Sequence, residues 1–388
     1  MYCVRKMTED LYWVGASERR LNLFENAYPL ANGVSYNSYL LLDEKTVLID
    51  TVDKSVSGLF FENVDHVLGG RKLDYLIVQH MEPDHAATIG ELVLRHPEVT
   101  IVCNAKTRTM MQNFFTFDLD SRVQLVKEMD TLTTGRHTFA FVMAPMVHWP
   151  EVMVTYEKTE KILFSADGFG KFGALDADES WEDEARRYFI NIVGKYGVQV
   201  QNLLKKAATL DIQMICPLHG PILKENLGYY IGKYLTWSSY EPEEKGVVIA
   251  CASIHGNTMI AAKKLAEILK AKGEKNVVLY DLARDDMPSA IADAYRYDRL
   301  VVAAASYDGG IFPCMETFLR KLKAKNFQKR TVGYIQNGTW APCTAKQMQA
   351  IMGELKNITN AEPVVTIKSA MKEADITQLE ALADALMA

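Results

Sequence analysis

The sequence contains no closely spaced pair of cysteines. Its six cysteines are scattered between positions 3 and 343, and no two of them form a CxxC motif. This spacing argues against a zinc ribbon, a cysteine-held iron–sulfur centre and a disulfide scaffold. Isolated thiols are typical of small core side chains in a reducing compartment, so we predict a cytoplasmic protein.

Long apolar runs and an excess of positive charge are also missing. The N-terminus has no apolar core of signal-peptide length, and no stretch approaches the roughly 20 apolar residues that a membrane span needs. Lysine and arginine number 43 against 49 aspartates and glutamates, a formal charge of −6. We therefore expect neither a membrane nor a nucleic acid as a partner.

The length of 388 residues predicts two domains, and the pattern changes at the polar, proline-containing segment 241–246. We predict one domain at 1–243 and a second at 244–388. Strands of the first are expected at 34–42, 46–51, 73–79, 100–104, 138–144, 152–157, 162–165 and 213–216, with helices at 86–95 and 181–208. In the second, five strands (247–252, 276–280, 300–304, 331–335, 363–367) alternate with five helices (258–270, 288–295, 315–322, 344–355, 375–387). Such alternation predicts a doubly wound α/β fold with a parallel sheet.

A dense group of metal-binding side chains follows the strand predicted at 73–79. His80, Glu82, Asp84 and His85 form the pattern H-x-E-x-D-H in a chain that has only eight histidines. The loop leaves a strand and enters a helix, so Asp84 could instead be a helix cap. That interpretation leaves Glu82 and His85 without a role, and we therefore predict a metal site.

Three further candidate ligands, His148, Asp167 and His219, each follow a predicted strand. Strand ends are where α/β sheets present their functional side chains. One histidine after a strand is usually structural, but the three in this order, together with the H-x-E-x-D-H loop, indicate one shared site. We interpret the histidines outside this pattern, His66, His96 and His137, as ordinary surface or loop residues.

The order of these residues resembles the metallo-β-lactamase pattern, in which H-x-H-x-D-H precedes a histidine, a bridging aspartate and a last histidine. Glu82 stands where that pattern has its second histidine, which is the signature of the flavodiiron proteins. The whole chain resembles a flavodiiron protein of the short, two-domain class. The resemblance implies a metallo-β-lactamase-like αββα sandwich followed by a flavodoxin-like doubly wound sheet of five parallel strands.

The same resemblance implies a non-haem diiron site with seven ligands. One iron would take His80, Glu82 and His148, the other would take Asp84, His85 and His219, and Asp167 would bridge them. Three carboxylates suit a pair of irons that cycles between the ferrous and ferric states, because hard oxygen ligands favour the oxidised metal. Zinc and manganese stay open at this point.

Three loops of the second domain resemble the FMN site of the flavodoxin fold. The first follows the strand at 247–252 and opens a helix, where backbone amides and hydroxyls can bind a phosphate. It lacks the G-x-G-x-x-G fingerprint of dinucleotide sites. The predicted FMN contacts are Ser253, Ile254, His255, Gly256, Asn257 and Thr258 in this loop, Ser306, Tyr307, Asp308, Gly309, Gly310 and Ile311 in the second, and Asn337, Gly338, Thr339 and Trp340 in the third. The residues before Trp340 depart from the usual family pattern.

The resemblance also implies an activity and its partners. The expected reaction is reduction of O2 to water, of NO to N2O, or of both, with FMN relaying electrons to the irons. Family members work as head-to-tail homodimers or dimers of dimers. Because the chain has no CxxC pairs for a fused rubredoxin, we expect an external electron donor, a rubredoxin or a reduced deazaflavin.

Two other functions remain open at this stage. One is a metallo-hydrolase joined to a flavodoxin-like domain, which the presence of Glu82 instead of a histidine disfavours. The other is an electron-carrier or redox-sensing flavoprotein with a vestigial metal site, which the complete set of seven candidate ligands disfavours. Tyr188 and Tyr196 are candidate hydrogen-bond donors near the metals, and core packing explains either of them equally well.

Overall fold

The computed structural model describes residues 2–388, which form two compact units. Of these residues, 2–189 and 198–235 form the first unit, and 190–197 and 236–388 form the second. The second unit thus begins a few residues before the predicted boundary at 243 and takes in a short segment from the middle of the chain. None of the helices within residues 2–388 is long and apolar enough to cross a membrane.

The first unit is built on two sheets with short strands. The strands are β1 Arg5–Lys6, β2 Leu11–Trp13, β3 Ala16–Glu18, β4 Leu23–Phe24, β5 Tyr28–Pro29, β6 Val34–Tyr36, β7 Tyr39–Leu42, β8 Thr46–Ile49, β9 Tyr75–Ile77, β10 Thr100–Cys103, β11 Val123–Leu125, β12 Thr131–Thr133, β13 Thr138–Met143, β14 Met153–Glu157, β15 Ile162–Phe164 and β16 Met214–Cys216. One sheet has the order β1-β2-β7-β8-β9-β10-β11, and the other has the order β12-β13-β14-β15-β16. Two small pairs, β3-β6 and β4-β5, complete the unit.

The core of the first unit lies between these two sheets. Buried side chains from the seven-stranded sheet, such as Tyr39 and Ile77, form one cluster with Phe139, Phe141 and Phe164 from the five-stranded sheet. The strands predicted at 34–42 and 46–51 contain β7 and β8, which pair in antiparallel register as a hairpin around residues 43–45. The helices up to residue 238 are α1 Ser57–Leu68, α2 Pro83–Ala86, α3 Ile89–Arg95, α4 Ala105–Phe114, α5 Trp181–Tyr188, α6 Gly197–Ala207 and α7 Leu227–Ser238.

The prediction of a single long helix at 181–208 is wrong. After α5 the chain forms a π-helical turn, Phe189–Val193, and a 3-10 turn, Gly194–Tyr196, before α6 begins. The carbonyl oxygens of Asn191 and Lys195 accept hydrogen bonds from Lys325 and Asn326, all within the second unit. Tertiary hydrogen bonds thus take carbonyls that a continuous helix would use itself, and Gly194 and Gly197 lower the local helix propensity.

The second unit is a doubly wound sheet, as predicted. Its elements are β17 Glu244–Ala252, α8 Asn257–Ala271, β18 Val277–Asp281, α9 Met287–Arg296, β19 Tyr297–Tyr307, β20 Gly310–Ile311, α10 Pro313–Ala324, β21 Arg330–Asn337, α11 Thr344–Met352, β22 Ile358–Asn360, β23 Val365–Ile367 and α12 Glu373–Met387. The parallel order is β18-β17-β19-β21, followed by β22 and β23 on successive parts of β21. The fifth strand position is therefore divided, and Pro363, which lacks an amide proton, lies in the gap.

The winding of this sheet leaves a crevice beside its first strand. The chain steps from β17 outward to β18 and then back across to β19, so the order reverses between β17 and β19. Side chains of α8 and α12 form one buried cluster with β17, β19, β21 and β23. In sheets of this order, ligands bind at the carboxyl ends of the strands where the order reverses.

Arg330 is a buried anchor of the second unit that the sequence pattern did not reveal. It is 3% exposed and donates hydrogen bonds to the carbonyl oxygens of Tyr297 (2.7 Å), Tyr240 (2.8 Å) and Gln328 (2.9 Å), and also to that of Tyr295. Burial lowers the pKa of Arg330 to about 10. One side chain therefore satisfies several carbonyls around the start of β21.

We predict that Arg330→Met destabilises the protein by about 3–5 kcal/mol, because several buried carbonyls lose their donor at once. The measurement is the urea-unfolding midpoint, followed by far-ultraviolet circular dichroism. Arg320→Met is the matched control, since Arg320 is 68% exposed and pairs only with Glu316 on the same helix; it should cost about 0.5 kcal/mol or less. Equal midpoints for the two variants would contradict the assigned role of Arg330.

Candidate functional site

The H-x-E-x-D-H segment follows β9 and continues into α2, which contains Asp84 and His85. Its position depends on Asp50, which follows β8 and accepts hydrogen bonds from the Gln79 backbone amide (2.8 Å) and side-chain amide (2.9 Å). Glu82 then takes the N-cap position of α2, and Asp84 lies in the first helical turn. A carboxylate is favoured there because the helix N-terminus carries partial positive charge.

The other three candidate ligands come from the five-stranded sheet. β13 and β15 both run antiparallel to β14, and β16 is parallel to β15, so β13, β15 and β16 all point the same way. His148, Asp167 and His219 each follow one of these strands. Their loops therefore meet at one edge of the sheet, as the sequence suggested.

Two sets of side chains converge in this region. His80 Nε2 lies 3.3 Å from Glu82 Oε2, and His148 Nε2 lies 3.0 Å from the same oxygen. In the second set, the Nε2 atoms of His85 and His219 each lie 3.2 Å from Asp84 Oδ2. Ligand atoms of each set lie within 4.8 Å of one another, which is the spacing expected around a metal ion.

Asp167 contacts both sets through different oxygens. Its Oδ2 atom lies 3.2 Å from the Nε2 atoms of His80 and His148. Its Oδ1 atom lies 3.2 Å from His85 Nε2 and 3.6 Å from His219 Nε2. A carboxylate with one oxygen toward each set has the geometry of a bridging ligand.

The residues present fit a pair of metal ions. Within residues 2–388, the buried polar atoms without a hydrogen-bond partner include both oxygens of Asp84, His148 Nε2 and Asp167 Oδ1. The Nε2 atoms of His85 and His219 also face each other at 3.1 Å. Such atoms are costly to bury unpaired, and bound cations would satisfy them.

Two residues that the sequence analysis did not find orient the imidazoles. His80 Nδ1 lies 2.8 Å from Glu151 Oε1, which also accepts from the Met81 amide at 2.9 Å. His219 Nδ1 donates to the Ser35 carbonyl oxygen at 2.8 Å. Metal-binding histidines generally donate their second N–H in this way, which turns Nε2 toward the metal. The position of Glu151, three residues after His148, was the available signal.

The charges of the site favour ionised carboxylates. Burial alone would raise the pKa of Asp84, but the positive charge of His85 and the close contacts with the imidazoles of His219 and His85 outweigh it and hold that pKa below its usual range. The histidines around Asp167 and Glu82 lower the pKa values of these two carboxyl groups in the same way. Three carboxylates that stay ionised in a buried site make a strong attractor for multivalent cations.

The two candidate tyrosines, Tyr188 and Tyr196, belong to different units of the structure. Tyr188 is 1% exposed, and its ring centroid lies 5.4 Å from that of His219. Burial, reinforced by the carboxylates of Asp167 and Asp84, raises the pKa of Tyr188 well above its usual value, so the hydroxyl keeps its proton. Tyr196 belongs to the 190–197 segment of the second unit.

Other residues near the metal ligands carry no sequence signal. The Tyr36 ring lies 5.7 Å from the ring of His219. Glu25, exposed in the turn between β4 and β5, has its pKa raised to about 7 by partial desolvation and by the negative charge of Glu82. Nothing in the spacing around these two residues marks them, because they approach the ligands only through the fold.

His137 lies in the loop between β12 and β13, as the sequence suggested, but it is not a surface residue. Its side chain is completely buried, with Nε2 3.2 Å from Asp10 Oδ2 and Nδ1 3.2 Å from Glu157 Oε1. The two carboxylates supply the partners that a buried imidazole needs. His66 is exposed and stacks on Tyr2, and His96 is half-buried.

The second unit contains a separate open cavity of about 730 Å³ at the carboxyl ends of β17, β19 and β21. Thirteen of the predicted FMN contacts line it: Ser253, Ile254, His255, Asn257, Thr258, Ser306, Tyr307, Asp308, Gly309, Asn337, Gly338, Thr339 and Trp340. Gly256, Gly310 and Ile311 do not line it. Ala305, Ala341, Cys343 and Ser369 were not predicted and do.

The cavity has the features of a mononucleotide site. It opens where the sheet order reverses, and the N-terminus of α8, fifteen residues long, faces it through Asn257 and Thr258. Gly256 precedes the helix at φ +91°, a conformation that suits glycine, and its amide donates to Ser253 Oγ at 3.1 Å. Free amides at a helix start together with nearby hydroxyls fit a phosphate group. Trp340 is 90% exposed at the rim, where its ring is available for stacking.

Comparisons with known proteins agree with both units. Residues 34–220 match the model of the ODP family beta lactamase. The rubredoxin-oxygen oxidoreductase of Megalodesulfovibrio gigas is 28% identical over 98% of this chain and 96% of its own. The anaerobic nitric oxide reductase flavorubredoxin of Klebsiella pneumoniae is 28% identical over 86% of this chain and 71% of its own.

Solved structures extend the likeness to the whole fold. The rubredoxin oxygen:oxidoreductase of Desulfovibrio gigas superposes with a TM-score of 0.91 at 27% identity and covers 99% of this chain and 98% of its own. Over almost its whole length, this chain is similar to the flavodiiron proteins. A flavodiiron protein from Giardia intestinalis has the same fold, with a TM-score of 0.92 at 23% identity, covering 99% of this chain and 96% of its own. The predicted fold class and the predicted resemblance to flavodiiron proteins are confirmed.

We predict that Glu151→Gln lowers metal affinity by about 10–100-fold at the set that contains His80, because the His80 imidazole loses its charged partner. The measurement is competition of the metal-loaded protein against a chelator of known affinity, followed by elemental analysis. Glu98→Gln is the control, since Glu98 is 75% exposed and pairs only with Lys72. Unchanged affinity in Glu151→Gln would show that Glu151 does not support the metal.

Proposed function

We propose that this protein is an O2 or NO reductase, producing water or N2O at a non-haem diiron site. The observation that carries the proposal is Asp167, which contacts two separate ligand sets through its two oxygens. The sequence relatives named as an oxygen oxidoreductase and a nitric oxide reductase support both gases as substrates. Separate additions of O2 and NO to the reduced protein measure which gas it prefers.

The proposed ligands are those named from the sequence. His80, Glu82 and His148 would hold one iron, Asp84, His85 and His219 would hold the other, and Asp167 would bridge. When bound, the pair of irons would supply electrons and Lewis acidity. Glu82, Asp84 and Asp167 would offset the metal charge with hard anionic oxygens, and the four histidines would contribute neutral nitrogens.

The chain's own residues would control protons around this centre. Glu151 and the Ser35 carbonyl keep the His80 and His219 imidazoles turned so that their Nε2 atoms face the metals. Tyr188, with its proton retained, packs against His219 and keeps the surroundings apolar. Reduction of either gas consumes protons, and Glu25, whose pKa of about 7 suits proton exchange at neutral pH and which interacts electrostatically with Glu82, is the candidate donor.

We further propose FMN as the group bound in the cavity of the second unit. FMN accepts an electron pair and releases electrons singly, which suits a donor to a metal pair. Ser253 and Thr258 would hold the phosphate at the start of α8, and Tyr307 and Trp340 would lie beside the isoalloxazine ring. The electrons would come from an external donor, a rubredoxin or another reduced carrier, and the chain would act in the cytoplasm as a head-to-tail homodimer or a dimer of dimers.

A metallo-hydrolase is the second candidate function. It is supported by the match of residues 34–220 to a beta-lactamase family model. It is opposed by Glu82, whose carboxylate lies 3.3 and 3.0 Å from His80 and His148 at the place where the hydrolase pattern has an imidazole. A hydrolase would also not need the cavity of the second unit, because hydrolysis requires no flavin.

The test of the proposed function is anaerobic reduction of the purified protein, followed by separate additions of O2 and NO, with iron and FMN measured on the same sample. We expect about two irons and one FMN per chain and consumption of at least one gas. Asp167→Asn should abolish the consumption, whereas Asp176→Asn, at an exposed pair with Arg19, should not. Two zincs per chain with esterase activity and no gas consumption would favour the hydrolase instead.

For the flavin site we predict that Ser253→Ala raises the dissociation constant of FMN by about tenfold, the loss of one hydrogen bond to a charged phosphate. The measurement is quenching of FMN fluorescence on titration with flavin-free protein. Thr359→Ala, on the exposed side of β22, is the control and should leave the constant unchanged. An equal effect of both variants would remove Ser253 from the phosphate site.

A further inference from the structure

A small apolar cavity lies in the first unit behind the metal ligands. It has a volume of about 30 Å³ and lies between α6 and one face of the five-stranded sheet. Val142, Val154 and Leu163 contribute the sheet side of the lining. These residues alternate with Phe141, Met153 and Phe164, which point into the core between the sheets, so the cavity is on the opposite face.

The lining offers little to a water molecule. Only two of its residues carry polar side chains, and both have hydrogen-bond partners nearby: Ser165 Oγ donates to the Gly168 carbonyl at 2.6 Å, and the Tyr234 hydroxyl accepts from the Phe169 amide at 2.6 Å. Buried water needs two to four polar partners, whereas dry apolar cavities accept xenon and other apolar guests. A volume of this size has room for a diatomic molecule.

The cavity reaches the backbone next to two metal ligands. Val147 lines it and is bonded to His148, and Gly168 lines it and is bonded to Asp167. Consecutive α-carbons are about 3.8 Å apart, so the wall lies one residue from both ligands. His148 and Asp167 belong to the same ligand set, with His80 and Glu82.

The opposite end of the cavity approaches the surface. Val147, Gly168 and Phe169 are buried, but Ala207 and Leu210, at and beyond the end of α6, are partly exposed. The lining therefore runs from a half-buried helix end to the buried side of the metal ligands.

We propose that this cavity binds the gaseous substrate, an apolar diatomic such as O2 or NO, beside the His148 and Asp167 set. The inference rests on the proposed gas reductase function and adds a second, metal-independent binding place to it. Both gases dissolve better in apolar surroundings than in water, so a dry cavity raises their local concentration next to the ligands. The residues that would set its capacity are those of α6, above all Val200 and Ala207.

The direct test is a crystal of the full-length holoenzyme under xenon pressure, because xenon reports apolar cavities whatever metal is bound. We expect anomalous density for xenon between α6 and the sheet. Ala207→Leu should abolish that density by filling the cavity, whereas Ala208→Leu, the same change at an exposed neighbour outside the lining, should leave it in place. Absence of xenon from the wild-type cavity would overturn the inference.

Gas kinetics on the same proteins provide the second readout. Ala207→Leu should raise KM for the consumed gas severalfold while kcat changes little, because no metal ligand is altered. Ala208→Leu should match the wild type, and Val200→Leu is the second filling variant in case Ala207→Leu fails to fold. An unchanged KM in a folded, xenon-free variant would overturn the inference. A wild type that binds xenon but reduces neither gas would instead contradict the proposed function.

Discussion

The carboxylate of Asp167 is the interaction on which the site depends. It is almost completely buried, and its two oxygens face histidines of two different ligand sets. A buried charge in this position is stable only if cationic or metal partners surround it on both sides. Loops from the edges of both sheets are needed to bring those partners together. The geometry of the ligands therefore depends on how the two sheets pack.

Around this centre the structure places groups that control orientation rather than bind metal. Glu151 and the Ser35 carbonyl determine which imidazole nitrogen faces the metals, and Asp50 holds the start of the H-x-E-x-D-H loop through Gln79. These contacts explain why the ligands converge before any metal is considered. They also separate metal affinity, which depends on this support, from the reactivity that the metals confer.

The second unit solves a different problem with a different fold. A parallel sheet whose order reverses beside its first strand leaves a crevice at the strand ends, and a glycine-preceded helix start faces it. Arg330 satisfies carbonyls at the opposite, amino-terminal end of β21, away from the crevice. The amino-terminal end of β21 therefore contributes to stability, and its carboxyl end contributes to the cavity.

The sequence by itself determined the two-unit architecture and which residues could be metal ligands, because metal ligation requires particular side chains at particular spacings and parallel sheets require regular alternation. Its motifs also carried the resemblance to the flavodiiron proteins. Only the tertiary structure decided what no local pattern encodes. It interrupted the helix expected at 181–208, because carbonyls of that segment bond to distant side chains, and it buried His137 between Asp10 and Glu157. It also brought Glu151, Glu25 and the apolar cavity beside the ligands. Contacts between residues far apart in the chain depend on how the sheets pack, and packing is a property of the whole fold.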